Sequence, residues 1–215
     1  MSSVIVYKNF TVNNLMFGET VKNKSGGNQV FVTYPDKKKI YIQTPIMTVP
    51  FGVSEYAVEG TNTVKYSLDL SFKGSEEDPK INSFLKVVKE LDEFMVKTGV
   101  ERSVEWFGKS MSYDVVNELY RPLLKPSKEP EKYAPTFKTK IRSNQSNEFM
   151  LTAFSNKEHF DMNEFVTGSK VRLIFEFAPI WFVNKQFGLT PCISQLDVSE
   201  TPAKTLDGFS FEEDY

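Results

Sequence analysis

Two hydrophobic periods organise the chain. From Val64 to Phe72 apolar and polar residues alternate: Val64, Tyr66, Leu68, Leu70 and Phe72 share one side, and Lys65, Ser67, Asp69 and Ser71 the other. A period of two marks a strand with one buried face. Beyond it, Ile81, Phe84, Leu85, Val88, Leu91, Phe94 and Met95 recur at three- and four-residue steps. That spacing predicts an amphipathic helix lying on a sheet. Asp78-Pro79 supplies an N-cap and a proline at the first helical position, and Thr98-Gly99 predicts the helix end. Shorter helices are predicted over 103–107 and 114–120.

Strands dominate on both sides of this helix. Gly26-Gly27-Asn28 marks a turn. Gln29–Tyr34 and Lys39–Gln43 flank Pro35-Asp36-Lys37-Lys38, which predicts a hairpin with a basic loop. Pro45 and Pro50 bracket Ile46–Val49 and predict an edge strand. Pro122, Pro126, Pro130 and Pro135 make 122–135 an extended connection. Thr136–Arg142, Phe149–Phe154, Lys170–Phe177, Ile180–Val183 and Thr190–Val198 complete the strands, with a turn at Asn184–Gly188. The order is strands, one long helix, a proline-rich excursion and more strands. It predicts a mainly β barrel with helical insertions over 1–198, then a mobile acidic tail over 199–215.

Composition removes several functions. Cys192 and His159 are the sole cysteine and histidine, too few for a disulfide framework or an ordinary zinc site. His159, in Lys157-Glu158-His159-Phe160-Asp161, has no nucleophile motif beside it and reads as a solvated loop histidine. Gly26-Gly27 is followed by Asn28-Gln29, so no phosphate loop is present. The adjacent acids Glu76-Glu77-Asp78 read as surface and helix N-terminal charge. A non-enzymatic protein without cofactor or metal is expected. The N-terminal residues lack the long apolar core of a signal peptide, and no run approaches a membrane span, so an intracellular location is expected.

Charge then redraws the picture. Residues 196–215 carry six acids against the single base Lys204, a net −5 in a chain of net −2, which leaves +3 on the rest. In the strand Thr136–Arg142, Lys138, Lys140 and Arg142 point one way and Phe137, Thr139 and Ile141 the other. Three cations on one sheet face can follow a phosphate backbone, or form a solvated outer face. Lys170 and Arg172 repeat the spacing on another strand. Aromatics stand among cations: Tyr41 after Lys37-Lys38-Lys39, Tyr133 after Lys132, and Trp181, Phe182 and Phe187 around Lys185. Rings between cations suit base stacking. For Phe175, Phe177 and Phe182 core packing is the ordinary alternative. The tail sets Phe209, Phe211 and Tyr215 among Asp207, Glu212, Glu213 and Asp214, a segment able to imitate nucleic acid or dock on a basic partner.

The segment Lys170–Thr190, continuing through Ser194–Val198, has Trp181-Phe182 before a turn and Phe187-Gly188 after it. With the aromatic-ended acidic tail, it resembles the single-stranded DNA-binding protein family of T-odd bacteriophages and its relatives in nucleocytoplasmic large DNA viruses. The phage proteins end on Phe where this chain has Tyr215. The resemblance implies an OB-fold-like five-stranded barrel, binding of single-stranded DNA without base specificity, dimerisation, and tail contacts to replication enzymes such as polymerase or helicase.

The expectation is thus a viral replication, recombination or repair protein at sites of DNA replication in the infected cell. Tyr41, Lys138, Lys140, Arg142, Lys170, Arg172, Trp181 and Lys185 are the expected nucleic-acid contacts. Asp207, Phe209, Phe211, Glu212, Glu213, Asp214 and Tyr215 are the expected partner-binding tail, which also gates the groove. A virion structural β protein fits the same strands and prolines.

Overall fold

The long alternating segments pair into a closed ring of five strands. The structure is a computed structural model describing residues 4–35 and 39–202. The ring strands are β1 (Met47–Thr48), β2 (Val64–Ser71), β3 (Thr136–Ile141), β4 (Lys170–Val183) and β5 (Gln186–Glu200). β1 meets β2 at Thr48 and Ser71, and β2 runs antiparallel to β3 from Tyr66–Ile141 to Ser71–Thr136. β3 meets β5 in parallel at Lys140 and Cys192. β5 and β4 form a long antiparallel hairpin, and β4 returns to β1 at Lys170 and Thr48. This is an OB-fold-like barrel.

Strand alternation fills its interior. Leu68, Leu70, Phe137, Ile141, Val171, Leu173, Ile193 and Leu196 are almost wholly buried. Helix α1 (Pro79–Glu101) starts where expected, with the Asp78 carboxylate accepting from Lys80 N at 2.7 Å. Its buried face sets the Phe84 ring against Tyr7, Phe72 and Phe137, at centroid distances of 5.6, 5.9 and 5.3 Å. Short helices α2 (Ser103–Phe107) and α3 (Tyr113–Leu119) follow. Trp106 then packs edge-on to Phe182 and Phe187 near the hairpin turn.

Three local expectations change. Gly99 does not end α1; a Cβ there would lie 2.8 Å from Val116 Cγ1 and 2.9 Å from Phe187 Cζ. The glycine permits close approach of α3 and β5, and the helix runs on to Glu101. The strands around Pro35–Lys38 do not form a hairpin. Asn28–Thr33 pairs with Met16–Lys22 across the Gly26-Gly27 turn and with β4 at Ile180–Trp181. Tyr41–Gln43 pairs with Val4–Val6 and with β4 at Ile174–Phe175. The long β4 offers each segment its own stretch of edge. Finally, the segment between Pro45 and Pro50 is no edge strand: β1 pairs on both sides. Two paired residues place both prolines outside the ladder, where their missing N–H costs nothing. No helix among the described residues is long and apolar enough to cross a membrane.

Candidate nucleic-acid interface

The alternation that buries Tyr66, Leu68 and Leu70 turns Lys65, Ser67 and Asp69 outward, and the same rule on β3 exposes Lys138 and Lys140. Register sets Ser67 beside Lys140 and Asp69 beside Lys138. This outer face floors a hollow of about 380 Å³. Tyr56, on the strand Val53–Ala57, pairs with Lys65 and is 64% exposed. The hairpin adds Trp181 and Leu189–Pro191. A strap over 120–125 adds Arg121, Pro122, Leu123 and Lys125.

Trp181 faces Gly188 across the hairpin. A Cβ on Gly188 would lie 2.8 Å from Trp181 Cζ2 and 3.3 Å from the Arg121 carbonyl oxygen. Only a glycine lets the indole lie so close to the opposite backbone. The strap is tied down by several bonds. Arg121 N donates to Phe187 O and Arg121 Nε to Gln186 Oε1, both at 2.9 Å. The Asp92 carboxylate, on α1, accepts from Tyr120 Oη, Leu123 N and Leu124 N at 2.7, 2.8 and 3.0 Å. Leu124–Lys125 pairs with Phe137 and Thr136 of β3.

Five cations line the hollow, and no carboxylate does: Lys65, Arg121, Lys125, Lys138 and Lys140. Among the described residues none of the five is in a salt bridge. Burial lowers the Lys125 ammonium from its ordinary value, and Lys138 and Arg121 push the same way against Asp92 and Asp69. The Asp69 carboxyl, outside the lining, is raised by burial despite the pull of Lys138, Thr136 and Lys125. Five cations against two flanking carboxylates, neither in the lining, leave an excess of positive charge suited to a polyanion. Tyr56 and Trp181 add ring surface for flat groups.

Of the eight expected contacts, Lys138, Lys140 and Trp181 line this groove. Arg142 turns instead to the buried Glu176, which Lys39 also meets at 2.6 Å. Lys170 pairs with Glu200 at 2.7 Å and Arg172 with Asp197 at 2.6 Å, at the far end of the hairpin. Lys185 sits in the hairpin turn beside a second hollow lined by Trp106, Phe107 and Met111. Tyr41 is half-buried in a strand bordering β4 and does not line the groove. The tail residues Asp207, Phe209, Phe211, Glu212, Glu213, Asp214 and Tyr215 lie outside the described residues, as do Asp36, Lys37 and Lys38. Sequence reasoning missed Tyr56, Lys65, Arg121 and Lys125. Lys65 was legible as an outward residue; Arg121 and Lys125 stand in an aperiodic, proline-punctuated stretch that carries no signal. His159 is exposed in a two-residue strand, and no cluster able to hold a metal occurs among the described residues.

A family model described as "Family of unknown function (DUF5871)" matches residues 75–215. No curated protein matches the chain. Among solved structures, the single-stranded DNA-binding protein from bacteriophage Enc34, in complex with ssDNA, is similar at 12% identity and TM-score 0.50, covering 86% of this chain and 96% of that one. The single-stranded DNA-binding protein gp2.5 of bacteriophage T7 is similar at 16% identity and TM-score 0.46, covering 80% of this chain and 98% of that one.

Proposed function

This chain belongs to the DUF5871 family, and we propose that it binds single-stranded DNA, without base specificity, in the groove over β2 and β3. The observation that carries the reading is the convergence on one hollow of five cations, none in a salt bridge among the described residues, with Tyr56 and Trp181 and no carboxylate in the lining. OB-folds bind oligonucleotides on the face of their second and third strands and on adjoining loops. Here those strands are β2 and β3. The cations meet phosphates, and Tyr56 and Trp181 stack on bases, at roughly 1–3 kcal/mol per stacked base. The similar Enc34 protein is described in complex with ssDNA, which agrees with this reading.

The finer role follows from charge and resemblance. Residues 1–198 act as one DNA-binding unit in viral replication, recombination or repair, forming a homodimer, and the acidic tail competes for the groove and recruits polymerase or helicase. The link to large DNA viruses rests on the sequence resemblance.

The test is a titration of oligo-dT, and of duplex of equal length, through a salt series. Five phosphate contacts give a slope of log affinity on log salt of about −3.5 for a single strand, so affinity falls on the order of 10²-fold between 50 and 200 mM. Lys138→Glu with Lys140→Glu removes two of the five contacts and makes the slope shallower by at least about 1.4. Absence of a single-strand preference at low salt refutes the reading.

A further inference from the structure

The floor and the other walls of the groove belong to ladders whose geometry the strands themselves fix. The strap over 120–125 joins ladders only at its ends, Tyr120 beside Phe187 and Leu124–Lys125 beside β3. It brings two of the five cations, Arg121 and Lys125, and its central tie is a side chain from another element. One carboxylate, Asp92, collects the Tyr120 hydroxyl and the Leu123 and Leu124 amides within 3.0 Å. These donors bracket Arg121 and immediately precede Lys125. Tyr120 is otherwise packed on Phe187, at 5.2 Å between centroids. Asp92 does not line the groove; it stands behind the strap, on the helix that closes the barrel.

A carboxylate satisfying two backbone amides and a phenol fixes the direction of the chain at that point, because each donor has its own angular requirement. We infer that Asp92 is a positioning residue for the groove: it holds the strap so that Arg121 and Lys125 face the same phosphodiester segment as Lys138 and Lys140. This inference rests on the single-strand binding proposed above. The charge of Asp92 has a second effect in the same direction. It is the foremost influence opposing the lowering of the Lys125 ammonium by burial, so the clamp that aims that cation also favours its charged form.

The experiment compares full-length wild type, Asp92→Ala, Asp92→Asn, Arg121→Gln with Lys125→Gln, and the triple variant with Asp92→Ala, by fluorescence anisotropy of labelled oligo-dT between 50 and 200 mM salt. Losing two phosphate contacts makes the slope shallower by about 1.4, so wild type loses about 7-fold more affinity across that range than Asp92→Ala. Asp92→Ala adds nothing to the slope change of the Arg121/Lys125 double variant, since both remove the same contacts. Asp92→Asn, which retains an acceptor for a strap amide, recovers part of the slope. A merely structural role lowers the melting temperature and leaves the slope of the folded protein unchanged; that result overturns the inference. If Asp92→Ala does not fold, Tyr120→Phe removes one donor, and an unchanged slope there overturns it equally. Amide hydrogen exchange at Leu123 and Leu124 provides a readout without DNA: faster exchange in Asp92→Asn or Asp92→Ala, with β3 amides unaltered, is expected, and wild-type rates defeat the inference. Loss of oligo-dT binding by wild type itself defeats the proposed function. A steep wild-type dependence with an unaltered variant slope defeats the positioning role alone.

Discussion

Glu176 is 3% exposed, yet it meets Lys39 and Arg142. Burial pushes its carboxyl up, but the bonds to Lys39 and Arg142 outweigh burial and hold it below the ordinary glutamate value. A carboxyl lowered in the folded state stabilises above its unfolded value, about 4.3, and that stabilisation is lost as pH falls through the folded value. Wild type therefore loses stability on acidification below about pH 4.3, and Glu176→Gln loses less over the same window, as read by denaturant melts at each pH. At neutral pH the substitution costs about 1–3 kcal/mol, the worth of charged hydrogen bonds left unmade. Gly188 makes a second residue-scale prediction. Gly188→Ala drives a methyl into Trp181, costing about 1–3 kcal/mol of stability as overpacking. It also weakens oligo-dT binding, because the displaced ring no longer presents a stacking face; unchanged binding by the folded variant counts against Trp181 as a stacking platform.

At the scale of elements, helix α1 shows local preference yielding to packing. Glycine within a helix ordinarily costs about 1 kcal/mol against alanine, so Gly99→Ala should stabilise an isolated helix. Here the added methyl meets Val116 and Phe187 within 3.0 Å. The sign reverses: thermal melts of Gly99→Ala show a lower midpoint, by roughly 2–4 °C per kcal/mol lost in a chain of this size. The hairpin of β4 and β5 shows the converse. Its cross-strand neighbours Lys170–Glu200 and Arg172–Asp197 pair cations that the period-two pattern alone offers to a ligand. Side-chain alternation was readable for β2 and β3, since every residue there reports its face. The ion partners were not, because they come from strands whose register the sequence leaves open.

For the whole molecule the question is where charge gathers. The chain is nearly neutral at −2, yet five cations converge on one groove without an acid. Net negative charge is concentrated near the chain's end, with Asp207, Glu212, Glu213 and Asp214 in the tail. Replacing these four by their amides in the full chain should tighten oligo-dT binding at low salt and leave it little changed at about 1 M salt, where a Debye length of about 3 Å already removes the competition. Equal or weaker low-salt binding by that variant rules out competition by the tail.

By itself the sequence determined the alternation of β2 and β3, the start of α1 at Asp78-Pro79, and the outward direction of Lys65, Lys138 and Lys140. Periodicity and capping act between residues a few positions apart, so their effects are legible in a linear string. Only the tertiary structure decided that Tyr56, Trp181, Arg121 and Lys125 surround those lysines, and that Arg142, Lys170 and Arg172 are neutralised by Glu176, Glu200 and Asp197. Convergence and ion pairing act through space between distant segments. They exist once the ring has closed, α1 has seated on it, and Asp92 has drawn the strap to the groove's edge.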